Sequence, residues 1–225
     1  MVSYMSDSGI KVRPCERRDI QAALKIFRDG CIDNSQDIFR VFLHRQTARL
    51  YISIIAFVAW VFFRSFAISG SVIITTVAVM YVVSYIKSAA YAKRRMMTDL
   101  RDIKRNYMDS RKAEMFIAED DGEVVGTATV SAMKVDSTAL ELQTLSVSRL
   151  YRRSGIGTML VAAAIKYGKS NRYEKIMSHA SESQMAAQRL LEKSGFKIKS
   201  RKLTSFFPFF RLYNKVYCYR LRESE

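Results

Sequence analysis

Two long apolar runs, separated by three residues, constrain this chain more than any other feature. Residues 50–67 read LYISIIAFVAWVFFRSFA and residues 71–86 read SVIITTVAVMYVVSYI, with Ile68, Ser69 and Gly70 between them. Each run is about 16 to 18 residues, the low edge of what crosses the hydrocarbon of a bilayer. The competing fold is a pair of buried helices in a soluble bundle. Such helices normally keep a polar face, and neither run has one. The runs therefore predict a membrane hairpin over 50–86, either two short spans or a re-entrant wedge, turning at Ser69 and Gly70. Arg64 is the only charge inside it. A charge at mid-span costs about 2.5 to 3.5 kcal/mol on insertion scales, but near the turn Arg64 can snorkel to the far headgroups. Arg40, Arg45 and Arg49 precede the hairpin; Lys87, Lys93, Arg94 and Arg95 follow it. Basic flanks on both sides put both ends in the cytosol and form a collar suited to acidic lipid headgroups.

That collar accounts for part of a formal net charge of +16. A surplus of this size calls for an anionic partner: nucleic acid, an acidic membrane or a phosphate-bearing ligand. No nucleic-acid-binding motif is present, which leaves lipid and a phosphate ligand. Cys15, Cys31 and Cys218 are scattered, odd in number and without metal-ligand spacing, so they predict reduced thiols and no disulfide framework. His44 and His179 do not pair with them, and no metal site is expected.

Either side of the hairpin the pattern is that of a mixed α/β domain. Residues 10–13 read as a strand, and Asp19 is a candidate N-cap for a helix beginning IQAALKIF. Residues 31–35 are turn-like, and residues 87–112 read as a charged helix continuing out of the hairpin. Strands are expected over 114–119 and 124–133, joined at an Asp-Gly turn. Further strands follow over 139–147, 175–180, 196–203 and 215–221. Helices are expected over 155–169 and 182–194, the second closed by Gly195. The aromatic run 204–210 is expected as an exposed loop. This order is not a βαβ repeat.

The sharpest motif is Arg152-Arg153-Ser154-Gly155-Ile156-Gly157-Thr158, which follows a strand and opens a helix. Glycines free the backbone to turn tightly, and the N–H groups and dipole of a helix start attract a phosphate or pyrophosphate. A dinucleotide fingerprint would need a third glycine after the first strand of a parallel unit, and a Walker loop would need a lysine. Glu141 opens the preceding strand, where Glu141, Gln143, Leu145 and Val147 share one face. Flanked by Leu140 and Leu142, its carboxylate is expected to be partly desolvated and raised toward a useful range for a general base.

Taken together, ELQTLSV, YRRSGIGT, MLVAAAIKYGKS, EKIMSHA and AAQRLLEKSGF resemble the GNAT superfamily of acetyl-CoA-dependent N-acetyltransferases. The hairpin GEVVGTATV and the opening VRPCERRDI fit as well. An early apolar hairpin further resembles the camello-like membrane-bound members. The resemblance implies a mixed, mostly antiparallel sheet flanked by helices, with acetyl-CoA as co-substrate and an amine acceptor. The acceptor would be a small amino acid-like molecule, a conjugate or a protein lysine. It implies that residues 152–158 hold the CoA diphosphate through backbone amides. Leu145, Ser146 and Val147 would hold the pantetheine arm, with the Leu145 N–H as oxyanion donor and Glu141 as base. It also implies an endoplasmic reticulum location, catalytic side in the cytosol. Residues 1–49 and 113–225 would form the acetyltransferase domain around the inserts 50–86 and 87–112. The chain departs from the family at Leu191, where a tyrosine acid is usual, and at Gln184, where asparagine is common. The acid is then open among His179, Tyr213 and Tyr217, and a weak or inactive hairpin scaffold is the alternative function. Oligomeric state is not legible.

Overall fold

A computed structural model describes residues 4–5, 9–207 and 210–221. In chain order the elements are β1 (Tyr4–Met5), β2 (Lys11–Pro14), α1 (Ile20–His44), α2 (Gln46–Phe63), α3 (Phe66–Met97), β3 (Ala113–Asp120) and β4 (Glu123–Ala132). Then follow β5 (Ala139–Val147), α4 (Ile156–Ser170), β6 (Lys175–Ser181), α5 (Met185–Lys193), β7 (Lys197–Phe207) and β8 (Phe210–Arg220). Among the described residues the strands form one sheet in the order β1-β2-β3-β4-β5-β6-β8-β7. All neighbours are antiparallel except β5 and β6, which run parallel with α4 as their crossover. This is the mixed, mostly antiparallel sheet expected.

Strand alternation sorts the core into two layers. Phe116 and Ala118 face α4 with Val125, Leu140, Ile156 and Leu160. Met115 and Ile117 face the other way, onto Ala23 and Phe27 of α1 and onto Leu100, Ile103 and Tyr107. The turn between β3 and β4 is the expected Asp-Gly hairpin, with φ of 45° at Asp121 and 88° at Gly122, the left-handed pair such turns require.

The structure corrects the sequence reading in five places. First, α1 runs unbroken through residues 31–35, because Ser35 and Ile38 bury themselves against neighbouring elements and packing overrides weak local turn propensity. Second, the hairpin turns five residues early. Arg64 adopts left-handed geometry at φ 50° and ψ 28° as the C-cap of α2, and Ser65 caps α3. Arg64 is thus at the turn itself, its guanidinium 5.5 Å from the Trp60 ring centroid. Third, α3 ends at Met97 and is followed by a turn and a π-helical segment at Lys104–Met108, so no helix continues across 87–112. Fourth, β7 and β8 extend to Phe207 and from Phe210, so most of 204–210 is strand, as its aromatic and β-branched content favours. Pro208 and Phe209 lie outside the described residues. Fifth, Asp19 does not cap α1 with its side chain. It accepts from the Glu16 amide (2.8 Å) and from Arg13 Nη1 (2.6 Å), while Arg13 also donates to Glu119.

α2 and α3 are long and apolar enough to cross a membrane, and only 6% and 11% of their apolar windows are buried. Phe62, Phe66 and Ile74 are 79%, 82% and 71% exposed. A third cluster (Ile38, Phe42, Ala48, Met80 and Leu212) joins α1, α2 and α3 to β8, so the hairpin is packed onto the sheet domain and not merely tethered.

The Arg13–Asp19 pair joins β2 to the start of α1, with Asp19 buried. Burial opposes the Asp19 charge, but Arg13 and the Glu16 amide outweigh it and hold the carboxyl below its ordinary value. Its contribution to stability is therefore full above the unfolded value near 3.9 and is lost as pH falls through the lower folded value. Asp19→Asn should cost about 3 kcal/mol, read as a lower denaturation midpoint in detergent at pH 7, and the gap from wild type should close in strong acid. An unchanged midpoint at pH 7 would show that the pair does not hold β2 to α1.

Candidate active site

The site is built where the sheet comes apart. β5 and β6 pair from Ala139↔Lys175 to Leu142↔Ser178 and no further. Beyond that point β5 stays with β4 and β6 stays with β8. β5 also carries a bulge, since the β4 register skips from Thr127↔Ser146 to Thr129↔Gln143. Thr144 sits in it at φ 48°, unusual for a β-branched residue, and its hydroxyl donates to Thr129 Oγ1 at 2.8 Å. An extra residue bends a strand and re-aims its side chains. Here it bends β5 beside the gap that opens toward β6.

A cavity of about 470 Å³ fills the gap. β5 contributes residues 141–146, and β6 contributes Ser178, His179 and Ser181. α1 lines it with Phe27, Gly30, Cys31, Asn34 and Ile38, and α3 with Ser88, Tyr91 and Arg95. α1 straps across both sides of the split. A methyl at Gly30 would meet Ser146 Oγ at 3.0 Å. Asp33 accepts from Arg152 Nη2 at 2.6 Å, and Asn34 accepts from Ser183 Oγ at 3.3 Å. Arg45, at the α1–α2 junction, donates to Glu182 just past β6.

Glu141 lies in the cavity wall, half-buried, with Oε1 3.5 Å from His179 Nε2. Of the three open acid positions, His179 is the one that reaches the cavity. Tyr217 is fully buried and donates to Glu192 Oε1 at 2.8 Å; burial and that bond hold its proton on well above the ordinary value. Tyr213 lies under the Arg45 guanidinium, outside the cavity. Leu191, at the position where the family resemblance implies a tyrosine, stands buried in the wall. Leu145 and Ser146 also line the cavity. Val147 does not; its carbonyl accepts from Arg152 Nε at 3.1 Å.

The loop after β5 divides its seven residues among different tasks. Gly155 is the N-cap of α4 at φ 84°, a conformation that glycine adopts without strain. Gly157 serves packing, since a methyl there would meet Leu190 Cδ2 of α5 at 2.8 Å. Ile156 is core, Ser154 Oγ donates to the Tyr151 carbonyl at 2.5 Å, and the Thr158 amide donates to the Gly155 carbonyl at 2.9 Å. Helix geometry gives the Ile156 and Gly157 amides no acceptor within the helix. Arg152 is engaged by α1, while Arg153 is exposed at φ 69°.

Sequence reasoning missed the walls made by α1 and α3. The signal was present as Phe27, Gly30, Cys31, Asn34 and Ile38, and as Ser88, Tyr91 and Arg95, each set at helical spacing on one face. Arg45 and Arg95 were expected in the lipid-facing collar; both instead turn inward onto protein partners.

The chain is similar to known proteins. The family model described as "Acetyltransferase (GNAT) family" matches residues 81–196. The protein named probable N-acetyltransferase camello in Xenopus laevis is 31% identical, over 72% of this chain and 73% of its own length. Human N-acetylaspartate synthetase is 26% identical over 84% of this chain, which spans 63% of that longer protein. A solved GNAT-family acetyltransferase from Staphylococcus aureus superposes with a TM-score of 0.57 at 17% identity, covering 95% of this chain and 99% of its own, a likeness of fold. With more than half the chain matched by the family model and a curated relative above 30%, the protein belongs to the acetyltransferase (GNAT) family.

Proposed function

We propose that this protein is a membrane-anchored N-acetyltransferase that passes acetyl from acetyl-CoA directly to a primary amine. The observation that carries the proposal is the parting of β5 and β6 beside the start of α4. A strand edge released from its neighbour offers free amides to the amide groups of a pantetheine arm. The α4 N-terminus at Gly155, Ile156 and Gly157, with Arg153 beside it, offers dipole and charge to a diphosphate. Arg152 is a positioning residue for that loop through Asp33 and the Val147 carbonyl. Leu145 and Ser146 flank the thioester, with the Leu145 N–H aimed at the oxygen that becomes anionic.

In this reading the amine nitrogen attacks the thioester carbonyl carbon. Glu141 first takes the proton that the acceptor ammonium must lose to free its lone pair; the C–N bond then forms, the C–S bond breaks, and the second nitrogen proton passes to water or to the departing sulfur. CoA leaves as a thiolate, a leaving group good enough to need no tyrosine at Leu191; of the three open acid positions, His179 is the one in the cavity wall. Cys31 lines the same cavity, but burial pushes its thiol up to about 12. It holds almost no thiolate at neutral pH and is a poor candidate for an acyl-enzyme nucleophile. The cavity walled by α1 and α3, and relatives whose name states that they make N-acetylaspartate, favour a small acceptor.

The hairpin supplies the anchor. α2, at 18 residues, is about 27 Å long and α3, at 32 residues, about 48 Å. A hydrocarbon core of about 30 Å is too thin for all of α3, so its last turns emerge and form the cavity wall. The basic flanks put both ends on the cytosolic face, in the reading that places the protein in the endoplasmic reticulum.

Glu141→Gln should lower acceptor-dependent CoA release by about 10²- to 10⁴-fold, with the rise in thermal midpoint on adding acetyl-CoA preserved; wild-type turnover would remove Glu141 from the mechanism. Cys31→Ala should keep turnover within about threefold of wild type, because no thiolate is consumed; abolished turnover with a normal melting curve would point to an acyl-cysteine. The expressed protein should stay with the membrane pellet through alkaline carbonate extraction, and release to the supernatant would exclude insertion.

A further inference from the structure

Arg95 lies in the last turn of α3 with its side chain 21% exposed in the cavity wall. Its Nη2 donates to Gln143 Oε1 and sits 2.7 Å from Asp99 Oδ2. Its Nε is buried with no acceptor. A guanidinium is a flat fork of five donors, and a charged donor left dry and unmatched is costlier than a neutral one. The position calls for an acceptor oxygen. Ser88 Oγ, two turns earlier on α3 and also in the cavity wall, is buried and unpartnered as well.

The strand relates this cation to a carboxylate in the wall of the same cavity. Gln143 and Glu141 stand on one face of β5 two residues apart, about 6.7 Å along a strand. Arg95 grips Gln143, the next residue to Glu141 on that face, and Arg95 and Glu141 both line the cavity. An α-amino acid carries its ammonium and carboxylate oxygen about 3 Å apart by ordinary bond lengths. With a charge-assisted hydrogen bond of about 2.8 Å at each end, it spans roughly 8 Å. A lysine side chain on a protein, or a simple amine, presents no anion at that distance.

We propose that Arg95 receives the carboxylate of the acceptor while Glu141 faces its amine, so the cavity selects free amino acids over simple amines and protein lysines. The proposal rests on the acetyl-transfer reading above and adds the acceptor class to it. Arg95 acts on specificity: it holds the end of the acceptor remote from the transferred acetyl.

The test uses the full chain in detergent with saturating acetyl-CoA and follows CoA release. A panel of L-amino acids is assayed, each against its own α-carboxamide, with Nα-acetyl-lysine methylamide standing for a protein lysine. The acids that turn over should exceed their amides by at least about tenfold in kcat/KM, because a site built to pair an anion is left unpaired by the amide. Arg95→Gln should erase that preference by raising KM for the acids far more than for the amides, and Arg95→Lys should fall between. Amides as good as acids, a lysine mimic preferred over every acid, or an Arg95→Gln enzyme that keeps the preference would each overturn the assignment. The wild-type comparison decides even if Arg95→Gln fails to fold. If acetyl-CoA raises the thermal midpoint but no acid turns over, the carboxylate assignment falls and the CoA site stands. If acetyl-CoA leaves the midpoint unchanged, both fall.

Discussion

A single interrupted ladder organises this protein. Parallel pairing between β5 and β6 stops after Leu142 and Ser178, and each strand then follows its other neighbour. A buried gap in a sheet would leave amides and carbonyls without partners, which proteins rarely tolerate. Here the gap is walled by α1 and α3 and left open as a cavity. The bulge at Thr144, with its left-handed backbone and its hydroxyl on Thr129, bends β5 beside the split. Local strain of this kind persists where surrounding structure holds it, and β4, one of the most deeply buried strands, supplies that support.

The apolar hairpin is not a separate appendage. α1 crosses the mouth of the split, contacts both sides of it, and leads through Arg45 directly into α2. α3 returns along α1 and brings Ser88, Tyr91 and Arg95 into the cavity wall. Among the contacts that bind the hairpin to the catalytic half are the apolar cluster reaching Leu212 of β8, the ion pair from Arg45 to Glu182 and the hydrogen bond from Arg95 to Gln143. In the proposed membrane-bound state, bilayer and cavity share one helix, α3.

Much of the fold was legible because its signals are local. The Asp-Gly turn, the alternation in β3 and the apolar stripe of α4 each depend on residues close together in sequence, and each appears where expected. The loop at Gly155 was legible for the same reason. The misreadings share a different cause. Residues 31–35 look like a turn until the tertiary fold buries Ser35. Arg64 looks like a charge within a span until the chain breaks there. Asp19 looks like a cap until Arg13, on another element, takes its carboxylate. In each case a partner distant in sequence outcompeted the local preference.

By itself, then, the sequence determined the strand and helix inventory of the C-terminal half, the existence of an apolar hairpin, and the glycine turn that opens α4, since hydrophobic period, run length and glycine placement act over a few residues. Only the tertiary structure decided what encloses the site. It set His179 beside Glu141, turned Arg95 from lipid toward Gln143, assigned Gly157 to packing against Leu190, and removed Tyr217 to the core. Those outcomes depend on which surfaces meet when the sheet closes between its helices, and no window of neighbouring residues contains that information.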